Sequence, residues 1–371
     1  MGQKVKLVLL YQVVMHYRLS LYERIANDTD FDFILLHGRG LKNTKLVNIK
    51  GVDELSYAKK KNDIRLPLPF TPSLFYSLIK INPDVVFSEG SSSLINSSIA
   101  FLYSRLFNKK FIWWSLGMLE NKKYKGFRKL VNKWEKYIEN NSDAIFTYSS
   151  KGKIYFSKRV KNPNKIFVGV NVLDTQKKLK EIKNNERFIK NFPSEFNVVF
   201  IGSINHEKKL EILIKAIELC NVKYNKSVKL HIIGDGNYLN NIKQYVNNNR
   251  VQEQVIFHGR INQGASVVMQ SCDVMVLPGL GGLAICDAML NSLPVITGLA
   301  DGTEYDLVDE SNGFILKKIS PEEIFNKLDF LFRNSELRKE MGENSFNKIT
   351  NDFSFEKYYE VFKNTINYTL S

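Results

Sequence analysis

The stretch Leu277-Pro278-Gly279-Leu280-Gly281-Gly282-Leu283-Ala284-Ile285-Cys286-Asp287-Ala288-Met289 decides the fold. It follows Val274–Leu277, a short uninterrupted apolar run bounded by a turn signal, which reads as a buried strand. Three closely spaced glycines come next, and an apolar helix begins around Ala284 and runs to Leu290. A strand that feeds a glycine-rich loop opening a helix presents free backbone N–H groups and the positive end of a helix dipole to whatever binds there. That arrangement suits a diphosphate, and Asp287, about one turn into the helix, can accept from a ribose hydroxyl. Tight helix–strand packing for the glycines and a solvated helix position for Asp287 are the plainer readings. The spacing is neither Gly-x-Gly-x-x-Gly nor a Walker A loop.

The same strand–loop–helix grammar repeats on both sides. In the second half, strands read over Asn197–Ile201, Lys229–Ile233, Val255–Phe257 and Val295–Thr297, with helices over Leu210–Cys220 and from Tyr238 to about Asn248. In the first half, Val5–Leu10, Phe31–Leu36, Asp84–Ser88, Lys110–Trp114 and Ala144–Tyr148 read as strands. Tyr22–Ala26, Phe75–Ile81 (stopped by Asn82-Pro83) and Leu94–Leu106 read as helices. Alternating strands and helices predict parallel sheets covered on both faces. The polar, Lys- and Asn-rich run Lys177–Lys190, ending at Phe192-Pro193, reads as a linker. The expected fold class is therefore α/β, with two Rossmann-like doubly wound domains facing a cleft.

Three further strand ends carry candidate chemistry. At Gly202-Ser203-Ile204-Asn205-His206-Glu207-Lys208-Lys209 a strand ends in glycine and paired lysines open a helix. Glycine admits a ligand to the backbone, and a lysine at a helix N-terminus supplies full positive charge to an anion. A solvated loop is the alternative. Ile233-Gly234-Asp235-Gly236 is in isolation a turn. Phe257-His258-Gly259-Arg260 enters a loop where Gly259 marks a close backbone approach and His258 and Arg260 stand as rim residues.

Charge separates the two halves. The chain has 371 residues and a net charge of +15. Residues 1–194 hold 35 Lys and Arg against 16 Asp and Glu, whereas residues 195–371 hold 18 against 22. The basic half is expected to face something anionic: a membrane surface, a phosphorylated ligand or nucleic acid. With 44% hydrophobic and 25% charged residues, disorder is excluded for most of the length. The three cysteines (Cys220, Cys272, Cys286) lack metal-ligand spacing and read as buried thiols of a reducing compartment. The longest uncharged run, Gly90–Ser104, is 15 residues, short of the roughly 20 a bilayer requires. No signal-peptide architecture opens the chain, so a cytoplasmic protein that at most lies on a membrane is expected.

The string Gly202…Glu207-Lys208…Ala216, then Ile233-Gly234-Asp235-Gly236, Phe257-His258-Gly259 and Pro278…Asp287-Ala288-Met289…Leu293-Pro294-Val295-Ile296, resembles the family 4 glycosyltransferases of GT-B fold. The resemblance extends to Gly313-Phe314 and Phe353-Ser354. It reaches the first half more loosely, through Tyr17-Arg18…Leu21-Tyr22, Trp114…Gly117 and Tyr148-Ser149…Asn171…Asp174. It implies a nucleotide-sugar-dependent hexosyltransferase that retains anomeric configuration, the donor sitting in the second domain and UDP preferred over GDP. By this resemblance Lys208 contacts the diphosphate, Asp287 the ribose, and Gly281, Gly282, Leu283 and Ala284 the phosphates, with Gly202, Ser203, Gly234, Gly259 and Arg260 also on the donor side. Two positions depart from the family pattern: the first acid of a pair eight residues apart is Gly279 here, and the arginine usually paired with the lysine is Ser203. The Pro-Gly-x-x-Gly-Leu loop resembles a subgroup from bacterial polysaccharide synthesis (O-antigen, capsule or similar). The implied domains are an acceptor-side domain over 1–175, a linker over 176–194, a donor domain over 195–350 and a helix over 351–371 packing back on the first domain.

Breaking a sugar–phosphate bond requires chiefly that the leaving diphosphate be stabilised, which lysine charge and helix N–H groups do. No metal and no other cofactor is therefore expected; Asp30-Phe31-Asp32 has the letters of a metal motif but straddles a strand start. In the first domain the candidates are His16 and Arg18 after strand one, Glu89 after strand three, and Gly117. Glu89 lies at a strand-to-helix handover, the rim position for ligands in such sheets, where orienting a hydroxyl and interacting with the helix dipole are equal readings. Lys208, Glu89 and His16 are the catalytic candidates.

Between Asn121 and Asn140, Lys122, Lys123, Lys125, Arg128, Lys129, Lys133 and Lys136 interleave with Tyr124, Phe127, Leu130, Trp134 and Tyr137. This suits an interfacial helix on an anionic membrane, or equally a helix whose aromatics pack on the sheet. The family resemblance favours the first reading and implies a lipid-linked or oligosaccharide acceptor at the inner face of the cell membrane. Nucleic acid is not expected as a partner, since no zinc-finger spacing, RNP-like string or recognition-helix signature is present. A GT-B-fold sugar-nucleotide epimerase, a non-catalytic nucleotide-sugar-binding module and a nucleic-acid-binding protein, which the charge alone would explain, remain the alternatives.

Overall fold

The computed structural model describes residues 4–39, 48–61, 64–66, 68–117, 126–185, 192, 196–225 and 227–371. The chain forms two compact units, Met1–Gly169 together with Tyr359–Ser371, and Val170–Tyr358.

The first unit runs β1 (Val5–Tyr11), α1 (Leu19–Ala26), β2 (Phe31–His37), β3 (Ala58–Lys60), β4 (Ile64–Leu66), β5 (Leu68–Phe70), α2 (Leu74–Ile81), β6 (Val85–Glu89), α3 (Leu94–Leu106), β7 (Lys110–Trp114), α4 (Phe127–Asn141), β8 (Ala144–Thr147), α5 (Ser150–Ser157) and β9 (Ile166–Val168). Seven strands make one sheet in the order β3-β2-β1-β6-β7-β8-β9, and every pairing in it is parallel. Parallel strands are covered on both faces, which is why Leu7–Leu10 and Val85–Phe87 are continuous apolar runs rather than alternating ones. On one face Val8, Val86 and Ile145 pack with Leu78, Phe101, Ile138 and Phe156 from the helices. α2 ends where expected: Asn82 takes the left-handed conformation (φ 50°) that Asn tolerates, and Pro83 cannot continue the helix.

The second unit runs α6 (Thr175–Asn185), β10 (Phe196–Ile201), α7 (Leu210–Lys223), β11 (Val228–Ile233), α8 (Leu239–Asn248), β12 (Val255–Gly259), α9 (Ser266–Met269), β13 (Val274–Leu277), α10 (Leu283–Leu290), β14 (Val295–Thr297), α11 (Glu304–Leu307), β15 (Gly313–Ile315), α12 (Pro321–Arg333) and α13 (Ser335–Asn351). Its six strands, β12-β11-β10-β13-β14-β15, are again all parallel. α12 starts on a serine N-cap: the Ser320 hydroxyl accepts from the Glu323 N–H, with Pro321 in the first turn. α14 (Phe355–Leu370) closes the chain, and its residues from Tyr359 onward belong to the first unit. There Phe362 is fully buried, stacked on Phe87 at 4.8 Å and edge-on to Phe146 at 6.0 Å.

The run read as a polar linker over 176–194 contains helix α6, and this helix belongs to the second unit, which begins at Val170. Thr175 and Ile182 are buried, and Lys178 and Leu179 half-buried, at the i, i+3, i+4, i+7 spacing of one helix face. Only Leu179 and Ile182 of these four are apolar, and the rest of the helix is polar, so composition concealed it.

In each sheet one strand is flanked by a predecessor-turned and a successor-turned neighbour: β1 lies between β2 and β6, and β10 between β11 and β13. Loops leaving the carboxyl ends on the two sides diverge there and leave room for a ligand. The β1/β6 and β10/β13 boundaries are the places to look for one.

Candidate functional site

In the second unit, three motifs far apart in sequence form one row along the sheet's carboxyl edge. The Gly202 N–H donates to the Ile233 carbonyl at 3.0 Å, and the Gly234 N–H to the Gly259 carbonyl at 2.8 Å. A Cβ on Gly234 would lie 1.9 Å from the Gly202 oxygen, and one on Gly236 2.1 Å from the Ile204 oxygen. The Gly-Asp-Gly segment is thus glycine because the preceding strand's loop lies directly on it. At Gly259 (φ +66°) no atom lies within 4 Å of where a Cβ would stand, so there the backbone angle makes the demand.

At the β10/β13 boundary the two loops touch. Lys208 ends the short turn His206–Lys208, and its ammonium donates to the Leu280 carbonyl. A Cβ on Gly279 would fall 1.9 Å from the Glu207 oxygen and 2.7 Å from the Lys208 Cα. One on Gly202 would stand 4.0 Å from the Lys208 Nζ. Gly202, Lys208, Gly279 and Leu280 therefore meet, with the lysine held between the end of β10 and the loop that opens α10. Gly281 is closed in by the Leu277 side chain, which would lie 2.8 Å from a Cβ added there, and Gly282 (φ +125°) is the N-cap of α10. Leu283 and Ala284 are the half-buried first residues of that helix. A cation beside a helix N-terminus can hold an anion with charge and N–H donors together. Ser203 is exposed, as are His206, edge-on to Tyr238, and Arg260, whose Nε donates to the Asn262 amide oxygen at 3.0 Å.

Asp287, on the second turn of α10, has a partner the sequence reading overlooked. Lys178 of α6 reaches its Oδ1 at 3.5 Å and the Glu181 Oε2 at 3.3 Å. Glu181 in turn accepts from the Gly264 N–H at 2.7 Å. Burial pushes the Asp287 carboxyl above its ordinary range, and the Lys178 charge pulls against that shift.

In the first unit, Glu89 ends β6 beside the start of the β1 loop. Its Oε2 accepts from the Gln12 N–H at 3.0 Å and its Oε1 from the Ser92 hydroxyl at 2.6 Å. Burial raises its pKa, opposed by those two hydrogen bonds and by Arg18. Arg18, only 5% exposed, donates to the Tyr11 hydroxyl at 3.3 Å and lies over the rings of Trp114 (4.5 Å) and Tyr148 (5.0 Å). A guanidinium boxed by aromatic faces next to a carboxylate can bind a polar ligand bearing both hydroxyls and negative charge. His16 is on the same turn, exposed, edge-on to Tyr17. Gly117 (φ +78°) is held by packing, since a Cβ there would sit 2.8 Å from the Tyr155 ring. Asp30 and Asp32 are exposed, and Asp30 pairs with Lys363 at 2.7 Å.

The basic aromatic segment divides. Lys122, Lys123, Tyr124 and Lys125 lie outside the described residues. On α4, Trp134 turns inward and donates to the Ser98 hydroxyl at 2.8 Å, and Ile138, Glu135 and Glu139 are buried. Phe127 is 79% and Leu130 60% exposed, among exposed Arg128, Lys129, Lys133 and Lys136. Among the described residues no helix is long and apolar enough to cross a membrane.

Comparison with known proteins identifies the architecture. The crystal structure of Anabaena Alr3699/HepE in complex with UDP superposes with TM-score 0.75 over 98% of this chain and 100% of that one, at 15% identity. The fold is therefore that of the GT-B glycosyltransferases. Residues 181–348, all within the second unit, match the family model described as Glycosyl transferases group 1. An uncharacterized glycosyltransferase of Methanocaldococcus jannaschii is 23% identical over 310 residues, 79% of this chain and 78% of that protein. A poly(ribitol-phosphate) alpha-N-acetylglucosaminyltransferase of Staphylococcus aureus is 25% identical over 186 residues, 48% of this chain but only 36% of that protein.

Proposed function

We propose that this protein is a retaining glycosyltransferase that moves a hexose or N-acetylhexosamine from a UDP-sugar to a membrane-associated glycan acceptor in surface-polysaccharide synthesis. The observation that carries the reading is the meeting of Lys208 with the Gly279–Leu280 loop at the β10/β13 boundary. It sets one full positive charge at the mouth of α10, where a diphosphate gains from N–H donors and helix dipole as well. Asp287 takes the ribose hydroxyls. The bond from the anomeric carbon to the donor phosphate oxygen breaks as the acceptor oxygen bonds to the same face of that carbon. The acceptor's proton passes to the departing diphosphate oxygen, so no protein base is required. Lys208 charge and α10 N–H groups stabilise the leaving diphosphate in place of a metal ion.

The first unit takes the acceptor. Arg18 in its aromatic box attracts negative charge, and Glu89 has lone pairs left to orient a hydroxyl. An anionic acceptor suits this basic half; the Staphylococcus aureus relative is named for one, poly(ribitol-phosphate). Exposed Phe127 and Leu130 among lysines support contact with an anionic membrane at its cytoplasmic face.

The test is a thermal-shift panel of UDP-, GDP- and dTDP-sugars on the purified chain, followed by transfer to lipid-linked glycan and linkage analysis of the product. Stabilisation by UDP-sugars and a product with retained configuration are expected. Donor binding with neither transfer nor hydrolysis would reduce the protein to a binding module, and conversion of the free donor to its epimer would make it an epimerase.

A further inference from the structure

Lys178 lies on α6, ahead of the segment that matches the family model, and no sequence motif pointed to it. We propose that Lys178 is a positioning residue for donor binding, its ammonium fixing the Asp287 carboxylate as the acceptor for the two ribose hydroxyls. The inference rests on the nucleotide-sugar reading and adds to it the device that keeps Asp287 ready. A ribose diol offers two O–H donors, which an ionised carboxylate accepts with both oxygens; a protonated one turns one oxygen into a competing donor.

Asp287 is largely desolvated on α10, which favours the protonated form, and the nearby Glu181 charge pushes the same way. Lys178 opposes both from 3.5 Å. The lysine is itself held from its other side by Glu181 at 3.3 Å, and Glu181 is tied by its other oxygen to the Gly264 N–H in the loop after β12. The chain Gly264–Glu181–Lys178–Asp287 therefore fixes the ammonium in place before any ligand arrives. The groups that face Asp287 are Lys178 and Glu181 from α6, and the Cys286 thiol on its own helix, which burial pushes up to about 12 and so keeps neutral.

The test is calorimetric titration with UDP-glucose from pH 5.5 to 8.5 on the wild-type chain and on Lys178→Met, Lys178→Arg and Asp287→Asn, with thermal melts to verify folding. UDP-glucose has no group that titrates in this window. The wild type and Lys178→Arg are expected to bind with a shallower pH dependence than Lys178→Met. Lys178→Met should approach wild-type affinity at pH 8.5 and lose about tenfold per pH unit below the raised Asp287 pKa. A Lys178→Met profile that runs parallel to wild type while Asp287→Asn binds weakly throughout overturns the positioning role and leaves the donor site standing. Wild-type affinity in Asp287→Asn overturns the ribose assignment itself, and the role of Lys178 with it.

Discussion

The ammonium of Lys208, on the turn after β10, donates to the carbonyl oxygen of Leu280 in the loop after β13. The contact couples the two strand ends that flank the switch in strand order, and it aims a fixed charge at the helix that follows. A backbone carbonyl is a weak partner for an ammonium compared with a diphosphate oxygen, so a donor phosphate can take the lysine over from it. Lys208→Ala is expected to weaken UDP-sugar binding by about 10- to 100-fold, the range of a lost charge-assisted hydrogen bond. Because the side chain is only half-buried, the melting temperature should hardly move. Lys208→Arg should not restore affinity, since a planar fork does not fill the place of a compact ammonium. Calorimetric titration of the three proteins with a UDP-sugar reads this directly, and unchanged affinity in Lys208→Ala would remove the lysine from the donor site.

Gly279 occupies a position where the resembling family carries an acid, and its surroundings account for the difference. A Cβ there would press on the Glu207 carbonyl at 1.9 Å and the Lys208 Cα at 2.7 Å, both backbone and unable to swing away. Gly279→Ala should cost about 1–3 kcal/mol by overpacking, or a melting shift of several degrees for a unit of this size. It should also displace the Lys208 turn and lower donor affinity. Gly279→Glu should therefore reduce transfer rather than improve it. A Gly279→Glu protein with wild-type stability and a higher transfer rate would show that the two loops part easily.

Much of this was legible in the sequence, and the exceptions share a cause. Val274–Leu277, Val295–Thr297 and Lys110–Trp114 are strands with the bounds their apolar runs indicated, because interior strands of a parallel sheet must be apolar on both faces. Ala58–Lys60 gives no such signal: it is a three-residue edge strand, and two of its residues are lysines. It is a strand because β2 offers it a partner, with Leu35, Leu36 and His37 opposite. α6 was hidden in the same way by a polar surface. The glycine motifs at 202, 234 and 279 were visible as motifs. That Gly234 answers to the Gly202 carbonyl, and Gly279 to Glu207, depends on loops brought together by the strand order, which no local pattern encodes. Lys178 went unread because its partner is more than a hundred positions away.

The exposed end of α4 makes a prediction about membranes. Phe127 and Leu130 face outward among Arg128, Lys129, Lys133 and Lys136, whereas Trp134 is already committed to Ser98. Cosedimentation with anionic vesicles should exceed that with neutral vesicles and weaken as salt is raised, since the Debye length falls to about 8 Å at physiological ionic strength. The double substitution Phe127→Ser and Leu130→Ser should reduce vesicle binding by at least about tenfold, given roughly 1.5–3 kcal/mol for each large apolar side chain buried. Trp134→Phe should leave vesicle binding unchanged. Equal binding of the double variant would mean that this face does not enter the lipid interface.

His231 predicts how the second unit responds to acid. It is fully buried on β11, its Nε2 3.1 Å from the Asn197 amide oxygen and its Nδ1 3.0 Å from the His258 Nε2, with the Phe192 ring 4.1 Å away. Nε2 donates to the amide oxygen, so Nδ1 accepts from His258 and the ring is neutral. Burial, then the His258 and Lys229 charges, lower its pKa to about 4 from 6.5. Between those two values the unfolded chain binds a proton that the folded one does not, so stability falls as the pH drops from about 6.5 toward 4. The full shift corresponds to an effect of roughly 3–4 kcal/mol. His231→Gln removes the titrating ring and should lower the melting temperature at pH 7 by giving up a packed imidazole and its two hydrogen bonds. The gap between variant and wild type should then narrow as the pH is lowered to 4.5. Calorimetric melts of both proteins at several pH values test this; a gap that stays constant from pH 7 to 4.5 would mean that His231 accepts its proton in the folded state as readily as in the unfolded one.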